Sequence, residues 1–248
     1  MKTIYVWGIK FNPLRKTEIV AQVQQWLEEG RKGIHLTGVN VALSGRLEQY
    51  PTIKTAINDS DIVNIDGLGV VLALRFYGYK VPERAACPDI FELLLQTANK
   101  KRQRVYFLGA EETVITKMVE NIGRQYPGID ICGYHNGFYE DEARIVREIK
   151  EIAPTYLFLG MSSPKKEEFI LKYKYLLNVG VCYGVGGVFD IKGGKMYRAP
   201  LFMQRLGLEW FCRIVQNPAL YGRRALKNYP KFGRIFLKGL FEKSRGYS

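Results

Sequence analysis

The sequence predicts an α/β protein: a parallel sheet with helices on both faces, followed by a basic helical tail. Three observations carry this prediction. Short β-rich segments alternate with helix-length amphipathic segments along most of the 248 residues, which is the pattern of βαβ units. Several of the β-rich segments run into glycine-containing turns, among them Gly109, Gly160 and the Gly184-Val185-Gly186-Gly187 cluster. Finally, eleven basic residues against two acidic ones between Met196 and Ser248 carry nine of the thirteen net positive charges.

Residues 3–8 (TIYVWG) read as a first short strand. Thr17 to Glu29 places Ile19, Val20, Val23, Trp26 and Leu27 at helical spacing before Gly30 and Gly33 end the helix. Ile34 to Thr37 reads as a buried strand that leaves through Gly38-Val39-Asn40 into another helix. Ile62 to Ile65 is the next strand, followed by Asp66, a Gly67-Leu68-Gly69 turn and an apolar helix from Val70 to Tyr77. Pro88 to Lys101 is a helix with Phe91, Leu94, Leu95 and Ala98 on one side. The alternation continues with strand 105–108, helix 111–126, a strand near 129–133, helix 140–152, strand 156–159, helix 164–177 and strand 179–183. No internal repeat or low-complexity linker interrupts it.

Composition excludes several classes. The apolar fraction of 47% is that of a globular chain with a substantial core. Polar residues interrupt the N-terminal apolar stretch, unlike a signal peptide, and no run approaches the 18 apolar residues of a membrane span. The four cysteines are scattered, with only His35 and His135 to join them, so free thiols in a reducing cytoplasm are expected rather than a zinc site or disulfides.

A carboxylate at the end of a strand, before glycines and a helix, occupies the place where open α/β sheets hold their ligands. Asp66 is therefore a candidate catalytic group, the alternative being a cap on the following helix. The 184–187 cluster lets phosphates approach backbone N–H groups, or is simply a tight turn. It is not a dinucleotide fingerprint, because Phe189 stands where G-x-G-x-x-G needs its third glycine, and a P-loop is also missing. An NAD or S-adenosylmethionine enzyme is accordingly disfavoured. Asp59-Ser60-Asp61 has the D-x-D spacing of a metal-diphosphate site but precedes its strand, and reads as a solvated turn.

Six blocks in order, NIDGLGVVLALR, PER, FLGA, LGMSSPKKEEFI, GVGGVFDIKGGKMYRAP and GLEWFCRIVQNP, make the chain from about residue 3 to about 224 resemble the WecG/TagA/CpsF glycosyltransferases of bacterial cell-surface polymer synthesis. The resemblance implies a Rossmann-like catalytic domain, residues 1–195, and a C-terminal appendage, residues 196–248. It implies a metal-independent, inverting transfer from a UDP-sugar, often of N-acetylmannosamine, to a polyprenyl-diphosphate-linked saccharide on the cytoplasmic membrane face, with no cofactor. Asp66 falls on the family's general base, Asn40 on its pocket asparagine and Arg84 on its pocket arginine. Thr37 and Glu167 fall in substrate-binding blocks, Asp190 would accept from ribose hydroxyls, and Gly184, Gly186 and Gly187 would let the diphosphate lie against backbone. Arg198 and Arg213 would stabilise the departing diphosphate. Assembly into a homo-oligomer is left open.

Three departures from the family pattern stand out. One extra residue separates Thr37 from Asn40. Lys166 replaces a glutamine, so it would recognise a carboxylated sugar such as a uronic acid or else point to solvent. Beyond Pro218 an expected arginine is missing, leaving Arg223 and Arg224 as the basic pair.

In the tail, Phe232, Ile235, Phe236 and Leu240 recur at helical spacing while Lys231, Arg234 and Lys238 recur on another side. This predicts a helix lying flat on an anionic membrane surface, with packing on the core or on another subunit as the alternative. Nucleic-acid binding, suggested by the basic composition, has no recognition motif behind it.

Overall fold

The computed structural model of the protein describes residues 1–244; Arg245, counted above in the basic tail, lies outside the described residues. The chain opens on an antiparallel hairpin, β1 (Ile4–Val6) and β2 (Ile9–Phe11), instead of one strand over residues 3–8. Trp7 and Gly8 both take positive φ, 58° and 69°, the conformation a two-residue hairpin turn needs. The period-2 pattern continues through this turn, which is why the residues alone read as one strand.

From there the order is α1 (Lys16–Glu28), β3 (Ile34–Val39), α2 (Val41–Ser44), α3 (Pro51–Asp59), β4 (Ile62–Ile65) and α4 (Leu68–Phe76). Next come α5 (Cys87–Lys101), β5 (Arg104–Gly109), α6 (Glu112–Gln125), β6 (Asp130–His135), α7 (Glu142–Ile152), β7 (Tyr156–Gly160), α8 (Lys165–Tyr173), β8 (Val181–Gly184) and α9 (Val188–Lys192). The remainder is α10 (Leu201–Arg205), α11 (Glu209–Gln216), a π-helical turn (Pro218–Gly222) and α12 (Arg223–Ser244). Each predicted strand of the sheet and each helix between them is present with ends shifted by a few residues, α8 being the shortest of the predicted helices relative to expectation.

Strands β3 to β8 form one sheet of order β4-β3-β8-β7-β5-β6, parallel at every pairing. Alternating side chains divide it into two packed faces. Ile34, Leu36, Phe107, Phe158, Val181 and Tyr183 bury against α1, α5, α6 and α9. Tyr106, Leu108, Leu157, Leu159 and Cys182 bury against α7 and α8. From β3 the chain moves outward to β4, whereas β8 arrives from the other side, so the loops leaving these neighbours diverge. That divergence opens a crevice at the carboxyl edge, where Thr37 of β3 stands in register with Gly184 of β8.

The tail contradicts one prediction. Phe232, Phe236 and Leu240 pack against the hairpin and α4, and Ile235 is buried, so this side of α12 faces the core and not a bilayer. Phe236 stacks on Tyr77 at 5.4 Å and 17°, Tyr77 Oη donates to the Phe236 carbonyl at 2.6 Å, and Phe232 meets Trp7 edge-on at 5.4 Å. Aromatic pairs of this kind contribute about 0.5–1.5 kcal/mol each beyond the area they bury. Amphipathicity gives a helix an apolar side without naming what covers it, and here the hairpin and α4 supply the cover. Among the described residues, no helix is long and apolar enough to cross a membrane.

Candidate active site

Asp66 leaves β4 at the mouth of the crevice. Its backbone N–H donates to the Val39 carbonyl, which fixes the residue beside the end of β3. Its side chain does cap a helix, but not the one that follows it. Oδ1 accepts from the backbone N–H of Cys87, the first residue of α5, at 2.8 Å. No side chain caps the start of α4. Oδ2 accepts from Asn40 Nδ2 at 3.2 Å, and Asn40 is itself locked because its Oδ1 accepts from Leu43 N as the cap of α2. Among the described residues each carboxylate oxygen therefore has one protein donor, and the residue is only partly buried. Burial pushes the adjacent Cys87 thiol up to about 12, with the Asp66 charge adding to the shift, so Cys87 is an inert packing residue and not a nucleophile.

Arg84 lies in the segment pinned to the end of β4, where Ala85 N donates to the Ile65 carbonyl. Its ion-pair partner is not a neighbour in the sequence but lies in the appendage. Arg84 Nη2 meets Glu209 Oε2 of α11 at 2.8 Å. Arg198 joins the same network, pairing with Asp89 and lying 3.7 Å from Glu209 through Nε. Burial of Asp89 opposes its ionisation, but Arg198 and, more weakly, Lys16 outweigh that and hold its carboxyl below the usual range. Arg198 is thus held by two carboxylates between the core and the appendage.

On the other side of β3, the 184–187 turn leads into α9. Gly186 takes φ +53°, and a side-chain carbon on Gly187 would stand 3.4 Å from Arg213 Nη1, 3.6 Å from Asp190 Oδ2 and 3.8 Å from Tyr221 Oη. Arg213 of α11, Asp190 of α9 and Tyr221 of the π-helical turn converge on this bare backbone. Burial raises the Asp190 carboxyl above its ordinary value; Glu111 adds to the rise, while Lys195, Arg213 and Arg224 oppose it. Among the described residues, neither Arg213 nor Asp190 has a hydrogen bond or ion pair through its side chain. Arg223 is exposed, and Arg224, also exposed, lies 5.7 Å over the Tyr221 ring.

Lys166 does not point to solvent. It is 8% exposed, and a side-chain carbon on Gly184 would stand 3.0 Å from its Cδ. Its ammonium pairs with Glu167, which is 1% exposed and also accepts from Ser163 Oγ at 2.8 Å. Among the described residues, Glu167 Oε2 has no hydrogen-bond partner. Thr37 is buried in β3, in register with Gly184 and so beside these groups.

The structure thus gathers Asp66 with Asn40, Arg84 with Arg198, Gly187 with Asp190 and Arg213, and Gly184 with Lys166 and Glu167, all along one sheet edge. Asp59 and Asp61 lie at the opposite ends of the strands: Asp59 pairs with Lys174 at 2.5 Å, and Asp61 pairs with Arg31 and accepts from His35 N at 2.8 Å. Among the described residues, no three His, Cys, Asp or Glu side chains converge as a metal site. Sequence reasoning missed Glu209 and Tyr221. The signal for Glu209 was its place four residues before Arg213, on the same side of one helix.

The sequence matches the model of the "Glycosyl transferase WecG/TagA/CpsF family" over residues 4–246. It is 32% identical over 238 residues, 96% of this chain and 92% of the other, to an N-acetylglucosaminyldiphosphoundecaprenol N-acetyl-beta-D-mannosaminyltransferase of Bacillus spizizenii strain W23. The protein of that name in Bacillus subtilis strain 168 is 31% identical over the same shares. That of Staphylococcus aureus strain MW2 is 25% identical over 92% of this chain and 89% of its own.

Proposed function

The chain belongs to the WecG/TagA/CpsF glycosyltransferase family, and from that premise we propose that it moves N-acetylmannosamine or a related hexose or uronic acid from a UDP-sugar to a polyprenyl-diphosphate-linked saccharide, with inversion. One observation carries the proposal. The Asp66 carboxylate, oriented by Asn40 and Cys87 N, shares a sheet edge with a bare glycine turn over which Arg213 leans.

The chemistry follows from that arrangement. The acceptor hydroxyl gives its proton to Asp66 while its oxygen attacks the anomeric carbon. The bond from that carbon to the diphosphate oxygen breaks on the opposite face, and UDP leaves with the electron pair. The backbone at Gly186 and Gly187 and the Arg213 guanidinium receive the negative charge growing on the diphosphate. Asp190, without a hydrogen-bond or ion-pair partner among the described residues and close to the turn, accepts from ribose hydroxyls. Asn40, donating to Asp66, keeps the carboxylate aimed and contacts sugar hydroxyls with what remains of its amide. Arg198, held by Asp89 and Glu209, shapes the crevice from behind more than it touches the leaving group. No metal is required in this scheme.

A lipid-linked acceptor brings the enzyme to a membrane, and we assign the docking face to residues other than those the sequence suggested. Leu201 and Phe202 of α10, Leu206 just after it, Phe211 of α11 and Leu72 and Phe76 of α4 are all exposed. Arg205, Arg223 and Lys227, exposed nearby in the chain, suit an anionic surface such as the inner face of the plasma membrane. This surface is continuous with the site, because Gly207 packs on Leu68, two residues beyond Asp66.

The deciding experiment is a calorimetric panel of UDP, UDP-N-acetylmannosamine, UDP-glucose, UDP-glucuronate, NAD and S-adenosylmethionine, run with and without EDTA. Binding of UDP compounds in EDTA supports the proposal. Binding of NAD or S-adenosylmethionine alone removes it.

A further inference from the structure

Helix α11 touches the core at two charged points one turn apart. Glu209, its first residue, is paired with Arg84 beside the end of β4. Arg213, four residues on, leans over Gly187 after β8. Residues four apart lie on one side of a helix, about 6 Å apart along its axis. The strands β4 and β8 flank β3, so a single turn of α11 bridges the two halves of the crevice.

Gln216 ties the far end of α11 to the Tyr197 backbone, accepting from its N–H at 2.7 Å and donating to its carbonyl at 2.9 Å, but deep packing does little to hold the first turn. None of the eight residues of α11 is buried, and Trp210 and Phe211 are exposed, with Trp210 meeting the Phe211 ring at 6.0 Å and the Tyr229 ring of α12 at 5.4 Å. Arg213 has no hydrogen bond or ion pair among the described residues that would fix its own place. Glu209, by contrast, is the sole acidic residue from Met196 to Phe241 in a strongly basic segment. It is largely buried against Arg84, itself largely buried, and is backed by Arg198 at 3.7 Å. A carboxylate between two guanidiniums in a half-desolvated position is geometrically demanding in a way that loose apolar contacts are not.

We propose that Glu209 is a positioning residue: its ion pair with Arg84 sets the register of α11 and thereby holds Arg213 over the Gly187 turn, where that cation meets the diphosphate of a nucleotide donor. This rests on the reading of the turn as the donor's phosphate site.

The test is UDP titration by calorimetry of the full-length wild type, Glu209→Gln, Arg213→Ala and the double variant, with hydrogen exchange of the 209–216 amides beside it. Loss of a charge-assisted contact weakens binding by roughly ten-fold or more, so Arg213→Ala and Glu209→Gln each show about that loss. The double variant shows no more than the larger single loss, because both changes remove the same contact, and the α11 amides exchange faster in Glu209→Gln. If the single losses multiply in the double variant, or if Glu209→Gln binds UDP as the wild type does, Glu209 does not position Arg213. Should Glu209→Gln fail to fold, Glu209→Asp, which keeps the charge but shortens the reach, supplies the same comparison. A wild type that binds no UDP overturns the donor reading itself, which is a different result from UDP binding that is indifferent to residue 209.

Discussion

Asp66 and Asn40 are joined across the carboxyl ends of two neighbouring strands, Asn40 Nδ2 donating to Asp66 Oδ2 at 3.2 Å. Asn40 is not free to turn, since its other amide atom caps α2. The carboxylate is therefore aimed by a group that the backbone holds, which is what a general base needs before its proton arrives.

Asp66→Asn tests this directly. An amide in place of the carboxylate still accepts from Cys87 N but presents no base to the acceptor. Transfer is expected to fall by about 10²–10⁴, the range that a positioned base contributes, while UDP affinity and the melting transition stay near wild type. Steady-state rates and UDP calorimetry on one preparation check it. Turnover retained in Asp66→Asn removes Asp66 from the base role.

The parallel sheet and the order of its elements were legible because alternation and helical spacing are local properties of the chain. So was the position of Asp66 at the carboxyl edge, since a carboxylate at a strand end before glycines needs no distant partner to be noticed. The pairing of Arg84 was not legible: Glu83 and Asp89 are its sequence neighbours, whereas Glu209 reaches it only through the fold. The covered side of α12 was hidden for a related reason. Its apolar residues meet Trp7 and Tyr77, and nothing in residues 223–244 states that the first hairpin will be there.

The two apolar surfaces of the tail separate in experiment. Phe232→Ala and Phe236→Ala are expected to lower stability by about 1–3 kcal/mol each, less than for fully buried phenylalanines, measured by denaturant unfolding. Phe202→Glu with Leu206→Glu leaves the unfolding curve in place and abolishes cosedimentation with anionic liposomes. If the charged pair still cosediments, the docking face lies elsewhere.

His35 makes stability depend on pH. Burial, reinforced by Lys174, Lys166 and Lys10, holds its imidazole well below the ordinary value of 6.5, so the folded protein keeps it neutral. As pH falls through 6.5 the unfolded chain takes up a proton that the folded chain refuses, and stability is lost by up to about 1.4 kcal/mol per pH unit below that point. The depressed carboxyl of Asp89 acts in a separate, lower window, below its ordinary value of 3.8. His35→Gln, which keeps a polar partner for Ser60, should flatten the slope between pH 6.5 and 5 in urea melts. An unchanged slope in that variant means that another group carries it.

Lys166 is the departure from the family pattern with the clearest physical consequence. Its ammonium pairs with a carboxylate that is itself buried and has one oxygen without a partner among the described residues. Replacing it by the family's glutamine removes the cation and leaves the Glu167 charge uncompensated, and breaking a buried pair in this way costs about 3–5 kcal/mol. Lys166→Gln is therefore expected to be strongly destabilised, and Lys166→Gln with Glu167→Gln to recover much of the loss because no charge remains buried. Donor choice follows from the same pairing. With its charge neutralised by Glu167, Lys166 has little left to offer a sugar carboxylate, so the ratio of UDP-glucuronate to UDP-N-acetylmannosamine affinity should be the same in the wild type and the double variant. A ratio that falls in the double variant means that a donor carboxylate competes with Glu167 for the ammonium, and that Lys166 selects a uronic acid.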